Sequence, residues 1–255
     1  MGLERELDVG RAAVARAGEL AFEIRARGLQ AESKPDGSPV TQADRECERL
    51  LARLIQEAFP DDGLLGEEGT VKASRSGRRW IMDPIDGTRD FVRGSPLWGV
   101  LLGLEIDGQV AAGMAHLPAF GEQYFAARGA GAYRNDNRIR VSALSSISSA
   151  VLCINGLDKM SGQPFAKHLL EWMGEFWAVR SMGGTLDAML LASGVAEVWI
   201  EPSVKEWDLA APKIIVEEAG GCFFNFNGGS SIYGGNCVAC PPGLEKELRR
   251  FVGPV

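Results

Sequence analysis

The twelve residues Trp80-Ile81-Met82-Asp83-Pro84-Ile85-Asp86-Gly87-Thr88-Arg89-Asp90-Phe91 constrain this chain more than any other stretch. Trp80-Ile81-Met82 reads as a short buried strand. Pro84 lacks an N–H and stiffens the exit from it. Gly87 and Thr88 then open a short helical turn, Thr88 to Arg93, closed by Gly94. The fold must therefore run a strand end into a helix start, with Asp83 and Asp86 at the junction. Carboxylates collect hard cations. Free N–H groups at a helix start collect an anion such as phosphate. A metal-dependent phosphatase needs that pairing. Asp-Pro and Asp-Gly are also common turn formers, so each Asp taken alone is more often a turn residue than a ligand. Covalent aspartyl-phosphate chemistry uses Asp-x-Asp-Gly-Thr. Here Pro84 stands where that nucleophile would be, so the spacing favours metals.

Around this segment the chain alternates. Leu3, Leu7, Gly10, Val14, Ala17, Ala21 and Ile24 recur at steps of four and three, the pattern of a long amphipathic helix ending near Arg27-Gly28. Lys34 to Val40 is a Pro/Gly loop. Thr41 starts a second helix with Leu50, Leu51, Leu54, Ile55 and Ala58 inside. Thr41 with Asp44 three later is a capping-box pattern, which accounts for Asp44 as well as a functional role does. Leu64 to Gly66 is a strand ending at Glu67-Glu68, which in isolation reads as a solvated pair. Leu97 to Ile106 and Gln109 to Leu117 form a hairpin on Asp107-Gly108. Glu122 to Ala127 and Ala132 to Val141 continue as strands, and Ser142 to Ser149 is a crossing. Then come a strand at Ala150–Ile154, a helix at Pro164–Met173, a strand at Phe176–Arg180 and a helix from Gly184 through Leu191. Val195 to Glu201 is a strand. A helix runs from Glu206 to Ala219, with Pro212 in or near its first turn. Cys222 to Phe226 is a strand and Leu244 to Phe251 a last helix. This alternation predicts a layered α/β fold. We expect an N-terminal part, 1–145, with two long helices, an antiparallel sheet and most acidic ligands. A C-terminal α/β part, 146–255, supplies Asp208 and the substrate contacts.

Composition narrows the class. With 255 residues, 45% of them hydrophobic, the chain can bury a large core. A net charge of −7, from 27 basic and 34 acidic residues, argues against nonspecific nucleic-acid binding. No apolar run reaches the ~18 residues of a membrane span, and the charged start carries no signal segment. The five cysteines are odd in number, and Cys237-Val-Ala-Cys240 lacks a second pair. Buried free thiols and a reducing cytoplasm are expected.

Four motifs together identify a resemblance: Pro39-Val40-Thr41-x-Ala43-Asp44, Gly66-Glu67-Glu68, Trp80 through Thr88, and Trp207-Asp208-Leu209-Ala210-Ala211 followed by Glu217-Glu218-Ala219-Gly220-Gly221. Over almost its whole length the chain resembles the inositol monophosphatase superfamily. Phe91-Val92-Arg93-Gly94-x-Pro96-x-Trp98, Trp177-x-Val179-Arg180 and Glu201-Pro202-x-Val204-x-x-Trp207-Asp208 resemble its histidinol-phosphatase branch most. The resemblance implies an αβαβα layered sandwich of the inositol monophosphatase/fructose-bisphosphatase type. It implies two or three Mg²⁺ ions held by Glu67, Asp83, Asp86, Asp208 and the Ile85 carbonyl. Asp86, Gly87 and Thr88 would hold the phosphate, and Glu67, Thr88 and Asp44 would align the attacking water. Glu201, Arg180, Gly184 and Asp187 would meet the rest of the substrate. Branch members carry Gly-Asp where this chain has Gly183-Gly184, and Asp187 would stand in for that acid. Lys34 and Arg180 also read as solvated charges, and His116 and His168 as structural. The implied reaction is hydrolysis of a small phosphorylated metabolite by a homodimer. L-histidinol phosphate, in histidine biosynthesis, comes first, with inositol 1-phosphate or a broader sugar phosphate second. A catalytically silent relative that binds metal or phosphate as a regulator is the alternative of a different class.

Overall fold

A strand's pleat sends successive side chains to opposite faces. In the computed structural model, which describes residues 2–35, 37 and 39–253, Trp80 and Met82 enter one core and Ile81 enters another. Both faces of this strand are therefore covered. Two helices, α1 (Glu4–Ala26) and α2 (Gln42–Ala58), cover the first face. Leu51 and Ile55 of α2 are fully buried there, each contributing about 1.5–3 kcal/mol relative to exposure. Between α1 and α2 the chain makes an antiparallel pair, β1 (Ala31–Ser33) and β2 (Pro39–Thr41). The loop expected over Lys34 to Val40 gives up its last two residues, Pro39 and Val40, to β2. Two of its residues, Asp36 and Ser38, lie outside the described residues.

The large sheet comprises β3 (Gly63–Gly66), β4 (Val71–Lys72), β5 (Arg78–Asp86), β6 (Gly99–Ile106), β7 (Gln109–Leu117), β8 (Glu122–Ala127), β9 (Gly131–Arg134) and β10 (Asn137–Ile139). Its order is β10-β9-β8-β7-β6-β5-β3-β4, antiparallel except for β3 beside β5. A short helix, α3 (Thr88–Arg93), follows β5, capped by Gly87 at φ 87° and Gly94 at φ 78°. The strand expected from Ala132 to Val141 is broken. Asn135, at φ 52°, makes a two-residue turn with Asp136, because short polar side chains tolerate the left-handed region.

The second half contains β11 (Val151–Ile154), α4 (Leu157–Met160), α5 (Leu169–Met173), β12 (Ala178–Arg180), α6 (Gly184–Ala192), β13 (Val198–Glu201), α7 (Glu206–Glu218), β14 (Cys222–Phe224), β15 (Cys237–Cys240) and α8 (Glu245–Val252). The helix expected at Pro164–Met173 is a 3₁₀ turn at Ala166–His168 followed by α5. The five strands run β12-β11-β13-β15-β14, with β12, β11 and β13 parallel and the other two pairings antiparallel. Trp199 and Ala239 face α6 and α7, which lie against the large sheet, while Val198, Ile200 and Val238 face α5 and α8. The layers are thus helix, sheet, helix, sheet, helix, the αβαβα sandwich the resemblance implied.

Helix α7, the middle layer, positions the site. Gly103 of β6 and Gly113 of β7 are direct partners across the ladder. A Cβ on Gly103 would stand 2.5 Å from the Ala210 Cβ, and one on Gly113 2.8 Å from the Ala211 Cα. Glycine at both positions makes a notch that α7 fills with alanines. Pro212 is the seventh residue of α7, well inside it and not in its first turn. It has no N–H for the carbonyl of Asp208, four residues back. Burial of Leu209, Ala210, Ala211, Ile214 and Ile215 holds the helix together across that gap.

Candidate active site

Residues three apart on a regular strand point to opposite faces. Asp83 and Asp86 escape this rule because β5 is bulged. Asp83 pairs with Leu101 and Asp86 with Gly99, so one strand spends an extra residue. Pro84 sits in that irregularity, where no ladder donor is required. The Ile85 N–H bonds to Asp83 Oδ1 at 3.0 Å and tightens the turn. Both acids then face one side. Asp208, third residue of α7, arrives from the other half of the chain, its carboxylate fixed by the Lys205 N–H at 2.7 Å. One oxygen from each of Asp83, Asp86 and Asp208 lies within 4.8 Å of the others. Glu67, just past β3, makes carboxyl contact with Asp83.

The electrostatics of this cluster favour a cation. Burial, followed by the charges of Glu67, Asp86 and Asp208, holds the Asp83 carboxyl well above the ordinary range. Burial and the charge of Asp86 push Asp208 up to about 7. Burial raises Glu67 and Asp86 as well. Acids this close cannot all ionise unless positive charge joins them. The donors are all oxygen, which suits a hard divalent ion. Lys34 partly supplies that charge. Its ammonium lies 2.7 Å from Glu67 and 2.6 Å from Glu68, half-buried. Burial pulls its pKa down, but the two carboxylates more than reverse this. The reading of Lys34, Glu67 and Glu68 as solvated charges is corrected. Lys34 lies 33 residues from Glu67 in sequence, so local pattern could not pair them.

Asp44 has two engagements. Oδ2 accepts from the Thr41 N–H and hydroxyl, completing the α2 capping box. Oδ1 lies 3.1 Å from the Thr88 hydroxyl, which is also 3.1 Å from the Ile85 carbonyl. Capping and proximity to the cluster are therefore both present in one residue. Burial raises the Asp44 pKa. A cavity of about 270 Å³ is lined by Glu67, Asp83, Ile85, Asp86, Gly87, Thr88 and Asp208.

A second cavity, about 220 Å³, lies beside the first and shares Asp86 and Asp208 with it. Gly184 and Glu201 line it as well. Asp187 does not. It is fully buried behind the wall, so it cannot replace a missing acid by direct contact. Arg180 is also absent from either lining. Its guanidinium points back to its neighbour's carbonyl, Val179 O, at 2.8 Å, and the residue is exposed. The edge position of β12 carries it outward. Sequence reasoning passed over Asn155, Thr185, Trp199 and Ser203, which line this cavity. None belongs to a short motif. The Thr185 N–H bonds to Asp86 Oδ2 at 3.0 Å and its hydroxyl bonds to the same oxygen, so α6 steadies a carboxylate of β5. Neither His116 nor His168 lines these cavities, and His116 Nδ1 pairs with the Glu122 carbonyl at 3.0 Å.

The sequence model of the inositol monophosphatase family matches residues 3–251. The chain is 41% identical over 228 residues to a histidinol-phosphatase of Chlorobaculum parvum, covering 89% of this chain and 88% of that one. It is 35% identical over 232 residues to an inositol-1-monophosphatase of Rhizobium meliloti, covering 89% and 87% respectively. The crystal structure of the extragenic suppressor protein suhB from Bartonella henselae superposes with a TM-score of 0.90 at 30% identity, covering 98% of each chain.

Proposed function

The chain belongs to the inositol monophosphatase family, a family of phosphatases, and from that premise we propose that it is a Mg²⁺-dependent phosphomonoesterase acting on L-histidinol phosphate. The observation that carries the reading is the convergence of Asp83, Asp86 and Asp208 on one small volume beside a second cavity. Glu67, Asp83, Asp86, Asp208 and the Ile85 carbonyl would hold two or three Mg²⁺ ions. When bound, these supply Lewis-acid charge that acidifies water and neutralises a leaving alkoxide. The chain's own groups do the rest. Gly87 and Thr88 line the first cavity, and their backbone N–H groups would hold the ester's phosphate there. The Thr88 hydroxyl hands its hydrogen to Asp44 Oδ1 or the Ile85 carbonyl, leaving its lone pairs to receive a water proton. Asp44 and Glu67 orient that water. Glu201 lines the second cavity, and burial pushes its carboxyl up to about 8, so an ammonium on the alcohol half would favour its ionised form there.

The cation is what favours histidinol phosphate. A buried carboxylate gains more from an ammonium than from a neutral hydroxyl. The greater identity to the histidinol-phosphatase relative supports the same choice. Inositol 1-phosphate is the second reading, favoured by Gly184 in place of an acid. We place the enzyme in the cytoplasm as a homodimer, on resemblance. Kinetics on both esters decide the substrate. A higher kcat/KM for inositol 1-phosphate sinks the first choice. A catalytically silent regulator is countered by the filled acidic set. Asp83→Asn should abolish Mg²⁺-dependent phosphate release from a folded protein, and wild type releasing none at all would establish silence.

A further inference from the structure

The second cavity contains an arrangement that phosphate hydrolysis itself does not use. Asn155, just past β11, donates one amide hydrogen to Asp187 Oδ2 at 2.7 Å and the other to Glu201 Oε1 at 2.8 Å. Its Oδ1 accepts from the Ser181 hydroxyl at 2.8 Å. These three partners fix which way the amide faces, since oxygen toward the carboxylates would be repelled. We propose that Asn155 is the positioning residue for Glu201, and through it a determinant of which alcohol the site accepts; this rests on the phosphatase reading above.

The geometry carries the argument in three steps. Glu201 Oε1 also accepts from the Trp199 indole N–H at 3.1 Å, so two donors draw this oxygen into the wall. Oε2 has no protein donor among the described residues and is not sealed from solvent, so it is the oxygen presented to the cavity. Asp187 is fully buried, and among the described residues its Oδ1 has no hydrogen-bond partner. Its other oxygen is held by Asn155 and by the Met182 N–H at 3.2 Å. Asp187 therefore reaches the substrate side only through the asparagine amide. Without that amide Glu201 Oε1 would keep a single donor, the Trp199 indole, and the carboxyl would be free to turn. Gly184 shares this wall: a Cβ there would sit 3.1 Å from Glu201 Oε1, so glycine leaves that oxygen free to stay on its two donors.

The test is a double-mutant cycle of Asn155→Ala with Glu201→Gln, read on histidinol phosphate and on p-nitrophenyl phosphate, whose leaving group carries no donor. Asn155→Ala should raise KM for histidinol phosphate about tenfold, as expected for one lost bond to a charged group. The preference for histidinol phosphate over p-nitrophenyl phosphate should fall by a similar factor. In the Glu201→Gln background the same change should cost less than about twofold, because partners in one network are not additive. Asn155→Leu, close in size but without donors or charge, should match Asn155→Ala. Additive losses, or equal losses on both esters, overturn the proposal. A crystal structure of Asn155→Ala gives an answer independent of any ester. A reoriented Glu201 carboxylate supports positioning, and an unmoved one refutes it. If wild type prefers inositol 1-phosphate, the substrate choice fails by itself, and the same cycle on that ester judges Asn155.

Discussion

Replacing Gly113 with alanine should loosen the grip of the site on its cation without touching any acid. The added Cβ would lie 2.6 Å from Ile214 Cγ2, 2.8 Å from the Ala211 Cα and 2.9 Å from the Ala211 carbonyl oxygen. Carbon atoms in contact prefer roughly 3.5–4.0 Å, so the shortfall approaches about 1 Å. Two of the three atoms are helix backbone and cannot swing aside. Helix α7 must retreat, or the sheet must bend. Overpacking of this kind costs about 1–3 kcal/mol. In a chain of this length each kcal/mol lowers Tm by about 2–4 °C, so a fall of about 2–12 °C is expected. Asp208 lies three residues before Ala211 on the same helix and would move with it. Metal sites tolerate errors of only about 0.2 Å in ligand distance. The Mg²⁺ concentration for half-maximal phosphate release should therefore rise about 10- to 100-fold. Gly162→Ala is the control, since open space surrounds that position, and it should stay within about 0.5 kcal/mol of wild type. A Gly113→Ala protein that melts with wild type and keeps its Mg²⁺ requirement would refute the idea that close helix–sheet approach sets the position of Asp208.

Added Mg²⁺ at about 100 times its dissociation constant should stabilise the folded protein by about 2.7 kcal/mol, or about 5–10 °C, measured by thermal melting against a chelator control. In chelator, stability should fall as pH rises. Burial raises Asp208 to about 7 and Glu201 to about 8 in the folded chain. A raised carboxyl contributes stability below its unfolded pKa and loses it as pH climbs through the folded one. Tm should therefore drop between about pH 5 and about pH 8, and Glu201→Gln should flatten that drop. At the far end of α7, Glu218 accepts the Gly129 and Gly131 N–H groups at 2.8 Å each. Glu218→Ala should cost about 1–3 kcal/mol in denaturant unfolding while the Mg²⁺ requirement stays as it was.

What the sequence revealed and what it concealed divide along a physical line. The strand, turn and helix from Trp80 to Gly94 were legible because proline, glycine and threonine act on their immediate neighbours. Asp44 was legible as a cap for the same reason. The layered fold followed from periodicity, which registers which face is buried. Features made by distant partners stayed hidden. The bulge that aligns Asp83 with Asp86 exists only against Gly99 and Leu101 of β6. Lys34, just past β1, meets Glu67, just past β3, across 33 positions of sequence. Cys237-Val-Ala-Cys240 was noticed for its thiols, yet it is a central strand between β13 and β14. All five cysteines are free. Asn155 bears no local signature, since its importance comes from residues 32 and 46 positions away.

Asp86 and Asp208 stand between the two cavities as a common partition. On one side the residues come almost wholly from the first half of the chain. On the other they come from the loops around β11, α6 and β13. A lineage of such proteins could therefore exchange one alcohol for another by editing the second set, leaving the hydrolytic machinery unaltered. Relatives named for different esters would then differ in a handful of loop residues across a shared partition.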